Sequence, residues 1–351
     1  MGYRCAILGY GGMGSWHARN IREKVRRIEV SGAYDIRPEA LQKAEAAGLK
    51  PYAILEALLR DPQVDLVTIA TPNNFHRELA IACLRAGKHV VCEKPVTLSS
   101  GELEEIIAVQ RETGKLFSIH QNRRWDKDYQ VVKACKDRGL LGDLCFVESK
   151  VQGSRQAMYG WRGHKVNGGG MLLDWGVHLL DQLMQLDPSP VVSACAHLLS
   201  VFTPEVDDNI KLFLRFESGC SALLEMSTNC LINAPRWHVQ GTEGTLQIDD
   251  WSGKGKLLKL TQDKQMAWAD DIVYTEAGPT RTMAPRPAYT MEEVPLPDVN
   301  PDWADYYENI ADVLDGKAQL RVTPAQALRV MRVIDLLFRS AAEGAGLSCH
   351  I

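Results

Sequence analysis

Three short stretches of this 351-residue chain carry residue types that can do chemistry together. Gly168-Gly169-Gly170-Met171-Leu172-Leu173-Asp174-Trp175-Gly176-Val177-His178 places a carboxylate and an imidazole where an apolar helix begins. Asp174 and His178 are four apart, so a helix would carry both on one face, with Asp181 one turn further on. Their neighbours Leu172, Leu173, Val177, Leu179 and Leu180 are apolar, and titratable groups in such a setting need partners or water. One reading is a proton-transfer pair; the competing one is a core histidine satisfied by Asp174 or Asp181. Gly168–Gly170 would let the backbone approach a ligand or another segment closely. Glu93-Lys94-Pro95 follows a strand-like run, where a lysine can donate to a reacting oxygen and Glu93 can orient it or touch a cofactor. Pro95 shapes that turn, and a cis Lys94–Pro95 bond is expected.

The third stretch, Gly9-Tyr10-Gly11-Gly12-Met13-Gly14, lies between a strand and a helix and has the spacing that holds a dinucleotide. Gly9 allows the tight turn, Gly11 the approach of a pyrophosphate, and Gly14 close packing of helix on strand, with Gly12 and Met13 at the helix start that faces the phosphates. Asp35 ends the second strand, where a carboxylate meets the adenine ribose hydroxyls and repels a 2′-phosphate; this favours NAD. Arg37, two residues on, would bind that phosphate instead, so NADP is the alternative. Thr71-Pro72-Asn73-Asn74-Phe75-His76 falls at the C-terminal edge of a further parallel strand, where ligands of such sheets bind, so Asn73 and His76 are expected to reach the cofactor. The plainer role for Asn73 or Asn74 is to cap the next helix.

The elements that must position these groups are legible as a rhythm. Strand-like Arg4–Leu8, Ile28–Tyr34, Asp65–Ala70, His89–Cys92 and Leu116–His120 alternate with helical patterns from Met13, over Pro38–Ala47, Phe75–Ala86 and Ser100–Thr113. Ser99 or Ser100 suits the last helix's cap and Gly114 its stop. This is the signature of a doubly wound parallel sheet. After Trp125–Arg138 strands follow one another at Leu144–Val151, Val191–Ser200, Asn209–Phe216, Ser221–Thr228, Trp237–Gln240 and Thr245–Ile248, interrupted by one substantial helix, Leu172–Leu186. A mainly antiparallel sheet with one face on helices is expected. Thr275–Pro301 reads as an irregular excursion, and helices near Trp303–Leu314 and Pro324–Ala342 close the chain.

Composition sets the limits. With 45% hydrophobic and 24% charged residues, the chain has the make-up of a soluble globular protein. A net charge of -4 gives no reason to expect nucleic acid or an anionic membrane as partner. No apolar run approaches the roughly 20 residues of a membrane span, and no secretory leader is recognisable. Nine scattered cysteines without a C-x-x-C pair read as reduced core thiols of a cytoplasmic protein, with no metal site among them.

Together with Asn122-Arg123-Arg124-Trp125-Asp126 and Trp161-Arg162, these stretches make the chain resemble, over nearly its whole length, the glucose-fructose oxidoreductase, inositol dehydrogenase and rhizopine-catabolism (Gfo/Idh/MocA) family. The resemblance implies an α/β Rossmann domain over residues 1–122 and an α+β domain with a large, open, mainly antiparallel sheet over 123–351, the final helix packing back on the first. It puts the family's catalytic lysine, aspartate and histidine on Lys94, Asp174 and His178 and a cofactor-binding arginine on Arg162, beside Trp161. Arg123 matches a position that contacts polyols. The implied reaction moves a hydride between nicotinamide and a carbinol carbon of a sugar, sugar derivative or cyclic polyol. His178 would take the hydroxyl proton, Lys94 would hydrogen-bond the same oxygen, and Asp174 would orient His178 or hold a neighbouring hydroxyl. Trp161, Trp175 and Trp237 offer flat faces to a sugar ring. The rivals are a redox-neutral glycoside-cleaving enzyme with retained NAD, a non-enzymatic NAD-binding sensor, and a metal-dependent dehydrogenase, for which no ligand set is apparent. An exposed sheet face implies a homodimer or homotetramer.

Overall fold

The computed structural model of the chain describes residues 2–261, 273–280 and 287–351. The first unit alternates β1 (Tyr3–Leu8), α1 (Gly12–Lys24), β2 (Ile28–Tyr34), α2 (Pro38–Ala46), β3 (Lys50–Tyr52), α3 (Leu55–Arg60), β4 (Leu66–Ile69), α4 (His76–Arg85), β5 (His89–Cys92), α5 (Ser100–Thr113) and β6 (Phe117–Ile119). Its six strands form a parallel sheet in the order β3-β2-β1-β4-β5-β6. Strand order reverses between β1 and β4, which opens a crevice at the C-terminal strand ends. The inner strands are apolar throughout because helices cover both faces: Leu66–Ile69 is wholly buried. Ser99 caps α5 through Glu102 N, and Gly114 ends it at φ 65°. Short β3 and α3 were not expected from the sequence; three residues including Pro51 carry no periodicity.

The second unit runs α6 (Lys127–Asp137), β7 (Leu144–Gln152), α7 (Val177–Leu186), β8 (Val191–Leu199), β9 (Asn209–Phe216), β10 (Ser221–Ser227), β11 (Trp237–Gly241), β12 (Gly244–Ile248), β13 (Gly255–Leu260), β14 (Val273–Thr275), β15 (Gly278–Thr280), β16 (Met291–Val294), α8 (Ala304–Leu314), α9 (Pro324–Glu343) and β17 (Leu347–Ser348). Among the described residues, nine of these strands form one sheet, β16-β13-β12-β11-β7-β10-β9-β8-β17. Only β7 and β10 pair in parallel, with Leu223 opposite Glu148. The segment expected to be irregular, Thr275–Pro301, contributes β16 to this sheet and β15 to a small hairpin; its residues 281–286 lie outside the described ones.

Alternation along β9 buries Ile210, Leu212 and Leu214 and turns Lys211, Phe213 and Arg215 outward. The inner face packs on helices, α9 against β8 and α6 against β12. The outer face carries paired charges, Lys211–Glu225 and Lys150–Glu148, each at 3.0 Å. Both α8 and α9 return to the first unit. Tyr307 Oη lies 3.1 Å from Thr68 Oγ1, Tyr306 Oη donates to Ser118 Oγ at 2.9 Å, and Ser118 Oγ donates to Val322 O at 2.9 Å.

Candidate active site

The glycine loop follows β1 and starts α1. Gly9 sits at φ 93°, and a Cβ there would lie 2.7 Å from Ala70 O. A Cβ on Gly14 would fall 1.9 Å from Gly9 O, so only glycine lets the helix pack this closely on the strand. A Cβ on Gly12 would meet nothing within 4 Å, and one on Gly11 only Arg37 Nη2 at 3.5 Å. Gly11 offers no side-chain cap, so the first amides of α1 face open space beside an arginine. An uncapped helix start of this kind suits a pyrophosphate, and the residues fit a dinucleotide. Met13 is partly exposed beside them.

Asp35 and Arg37 do not act as alternatives here; they hold each other. Asp35 Oδ1 accepts from Arg37 N and Nε at 2.9 and 3.1 Å, and Oδ2 from Tyr10 N and Arg37 Nη2 at 2.8 and 3.1 Å. Burial pushes Asp35 up, but the Arg37 and Tyr10 bonds outweigh it and leave the carboxyl below its usual range. Four N–H donors match the roughly four lone-pair sites of a carboxylate. The Arg37 side chain is 53% exposed, so its guanidinium is the group presented to a ligand.

The loop after β4 turns inward. Asn73 is buried and donates Nδ2 to Gly168 O at 2.9 Å; no side-chain cap holds the short helix at Asn73–Phe75. His76 is fully buried, with Nδ1 and Nε2 each 2.9 Å from a carbonyl, Pro95 O and Thr71 O. The Asn73 amide nitrogen and both His76 ring nitrogens, expected to reach the cofactor, are engaged within the protein. They tie the Thr71–Pro72 turn to the Lys94–Pro95 turn and to the glycine run. Thr71 and Pro72 remain partly open at the strand edge.

Lys94 and Pro95 are joined by a cis peptide bond at the end of β5. Lys94 Nζ donates to Asp174 O and Oδ1, both at 2.8 Å, which leaves one ammonium N–H for a further acceptor. Arg162 Nε lies 3.4 Å from Asp174 Oδ2. Burial alone would raise the Asp174 pKa, but the Lys94 and Arg162 charges bring it below the ordinary value, so the carboxylate is ionised. His178 is buried, and its Nδ1 lies 3.0 Å from Gln121 Oε1. With that oxygen as acceptor, Nδ1 carries the proton and Nε2 the lone pair; Nε2 has no partner among the described residues. Burial first, then the Lys94 and Arg123 charges, hold the His178 pKa well below its usual value. A neutral imidazole with a free lone pair beside an ammonium donor can move one proton at one oxygen.

Comparison with known proteins agrees with this geometry. The Gfo/Idh/MocA model described as "oxidoreductase family, NAD-binding Rossmann fold" matches residues 3–121, and that described as "oxidoreductase family, C-terminal alpha/beta domain" matches residues 133–348. The chain belongs to the Gfo/Idh/MocA oxidoreductase family. Among its relatives is scyllo-inositol 2-dehydrogenase (NADP(+)) IolW of Bacillus subtilis, 28% identical over 97% of this chain and 94% of the relative. Oxidoreductase YdgJ of Escherichia coli is 31% identical over 83% and 82% of the two chains. The crystal structure of an NAD-binding protein from Listeria innocua superposes with a TM-score of 0.92 at 40% identity, covering 99% of each chain.

Several details of this Gfo/Idh/MocA site differ from the sequence reading. Asp174 and His178 do not share a regular helical face, because Leu172–Gly176 is a π-helical turn leading into α7. Asp174 therefore meets Lys94 and Arg162, and Gln121 takes the orienting role expected of it. Asp181 pairs bidentately with Arg124 at 2.7 and 2.6 Å in the core, so neither carboxylate satisfies His178. The glycine run serves close packing: a Cβ on Gly169 would lie 2.1 Å from Arg162 O. Arg162 also sits over the Trp161 ring at 4.5 Å. Arg123 lies over the Trp175 ring at 4.4 Å, and that ring is 5.8 Å from His178. Trp237, in contrast, is fully buried and gives its Nε1 to Asp128.

Glu93 points inward as well. Its Oε1 lies 2.8 Å from His17 Nε2 and 2.9 Å from His120 Nδ1, and its Oε2 accepts from Lys94 N. This buried His–Glu–His group has metal-like spacing that three distant sequence positions did not reveal. Hydrogen bonds link its members: Tyr307 Oη donates to His17 Nδ1, leaving His17 Nε2–H for the carboxylate, while His120 Nε2 is buried without a partner among the described residues. Burial opposes ionisation of Glu93, but the two histidines hold its pKa well below the usual range.

Proposed function

We propose that the chain is an NAD(P)-dependent oxidoreductase that acts on a hydroxyl or keto carbon of a sugar, sugar derivative or cyclic polyol. The observation that carries this reading is the convergence of Lys94 Nζ, ionised Asp174 and the free Nε2 of His178 at the ligand edge of the parallel sheet. Bound against Gly9–Gly14, a nicotinamide dinucleotide supplies the hydride acceptor or donor.

The chain's own residues do the rest. His178 Nε2 takes the proton of the reacting hydroxyl, while Nδ1–H stays on Gln121. The third N–H of Lys94 meets the same oxygen and stabilises its developing charge. Asp174 fixes Lys94 and Arg162, so the ammonium needs no reorganisation as that charge develops. In reduction, the same groups return the proton. Arg162, with Trp161 beneath it, is placed for the cofactor, and Arg123 for the substrate.

Residues 1–122 form the nucleotide-binding part of this scheme and 123–351 the substrate part. Nine unpaired cysteines support a reducing compartment such as the cytoplasm, and no helix among the described residues is long and apolar enough to cross a membrane. The outward-facing Phe213 on the open sheet supports a homodimer or homotetramer, which sedimentation of the purified chain tests. The deciding experiment for the activity is a panel of sugars and polyols followed by nicotinamide absorbance, with NAD and NADP in parallel. Turnover of a sugar or polyol by the wild type and its loss in His178→Ala are expected. No hydride transfer across the panel would refute the reading.

A further inference from the structure

Beside Arg123 a cleft of about 440 Å³ opens between the start of α6, the β12–β13 turn and the segment leading into α8. This size is suited to a small ligand. The cleft shares no residue with the glycine loop or with Lys94. Its lining includes Trp125, Trp251 and Trp303, of which Trp251 is exposed and Trp125 buried.

Trp251 stands out among them. It is 42% exposed on a tight turn and lines the cleft. Arg236 and Arg123 lie over its ring at 4.5 and 5.2 Å, and Trp175 packs beside it at 5.7 Å. These contacts hold the indole upright and leave part of it to the cleft.

The polar groups of the cleft are equally specific. Arg123 gives Nη1 to Asp126 Oδ2 at 3.0 Å, leaving other guanidinium N–H groups and Asp126 Oδ1 without partners among the described residues. A fixed donor beside a fixed acceptor matches two adjacent hydroxyls, each of which can donate and accept. Flat apolar faces match the C–H face of a pyranose ring. An aliphatic chain would leave the half-buried Arg123 and buried Asp126 unanswered, and a nucleotide's phosphates would meet the Asp126 carboxylate.

The cleft is also placed in series with the chemistry. Trp175 lies 5.8 Å from His178 on one side and 5.7 Å from Trp251 on the other. Trp175 and Arg123 thus border both places, the cleft and the side of His178. We propose that this cleft is a second sugar subsite, so that the preferred substrate is a glycoside or disaccharide whose reacting ring lies at His178 and whose neighbouring ring rests on Trp251. The proposal rests on the sugar reading of the active site and narrows it.

The test uses the full-length protein with cofactor, comparing maltose, cellobiose and lactose with glucose, galactose and myo-inositol. Each sugar is measured twice, by hydride transfer and by calorimetric binding. At least one disaccharide should exceed its parent monosaccharides at least tenfold in kcat/KM and in affinity. Trp251→Ala should reduce that ratio at least fivefold, with Trp251→Phe keeping most of it. Asp126→Asn, read in the same way, provides a second probe should Trp251→Ala fail to fold. Monosaccharides or inositol binding and reacting as well as every disaccharide would overturn the subsite and leave the active-site reading intact. A disaccharide advantage that survives both variants would overturn it too. Absence of hydride transfer from every sugar would instead overturn the underlying activity, and with it this proposal.

Discussion

Exchanging Gln121 for glutamate should move the acid limb of the pH–rate profile, because this side chain alone decides which nitrogen of His178 is free. In wild type, the groups that act on the imidazole are the Lys94 and Arg123 cations, the Glu93 anion and His120, on top of complete burial. Burial and the cations win, so His178 loses its proton well below the ordinary value of about 6.5. In the oxidation direction, kcat/KM should therefore rise at acid pH and reach its plateau before neutrality. Gln121→Glu places a carboxylate where an amide oxygen lies 3.0 Å from Nδ1. An opposite charge that close shifts a pKa by about one to three units toward the charged form, at about 1.4 kcal/mol per unit. The limb should move upward by that amount while the plateau rate changes less. Gln121→Leu removes the acceptor altogether, freeing the proton to move to Nε2. It should lower kcat by roughly 10²–10⁴, the range for a lost general base. Initial rates at saturating cofactor from pH 5 to 9 measure all three proteins. Superimposable limbs for wild type and Gln121→Glu would show that His178 is not the titrating base, and proton transfer would have to be assigned to Lys94.

Three further outcomes follow from the same contacts. His17, His76 and His178 are all buried and held below their usual pKa, chiefly by burial. The unfolded chain then binds protons that the folded one cannot, so stability should fall as pH drops below about 6.5; Tm measured between pH 7.5 and 5.5 should decline, less steeply in His178→Asn, and a flat profile would contradict the assignment. Arg37→Ala removes the exposed guanidinium and frees two Asp35 acceptor sites, so calorimetry should show NADP binding weakened by about 1.5–3 kcal/mol, the worth of a charged hydrogen bond, and NAD binding little weakened; equal losses for both would point away from Arg37 as the selector. Asp181→Asn leaves Arg124 buried without its counter-charge, and denaturant unfolding should show a loss of about 3–5 kcal/mol.

The parallel sheet was legible because its strands are long apolar runs flanked by caps and stops that act locally: Ser99 and Gly114 did what their chemistry predicts. The glycine loop was legible for the same reason. What escaped were features set by the meeting of distant segments. Gln121 is an unremarkable amide at a strand end until α7 brings His178 over it. His17, Glu93 and His120 come from three elements, and nothing in their spacing announces that they meet. Asp174 was read with helical geometry, and a π turn of five residues shifted its partners. Asn73 and His76 sit at the edge where ligands bind, and the sequence did not show that backbone carbonyls from neighbouring turns would engage Asn73 Nδ2 and both His76 nitrogens.

The return of α8 to the first unit sets a constraint on synthesis. Thr68 and His17 find a partner in Tyr307 Oη, and Ser118 in Tyr306 and Val322. On the ribosome, the nucleotide-binding unit emerges first, with those polar groups unanswered and the surface beneath α8 open to water. It waits for more than half of the chain to be translated before its own interior is finished. Cotranslational folding of this unit is therefore incomplete until the last helices leave the exit tunnel. A chain stalled or cut before residue 307 would present that open surface to chaperones and proteases, even with its glycine loop intact.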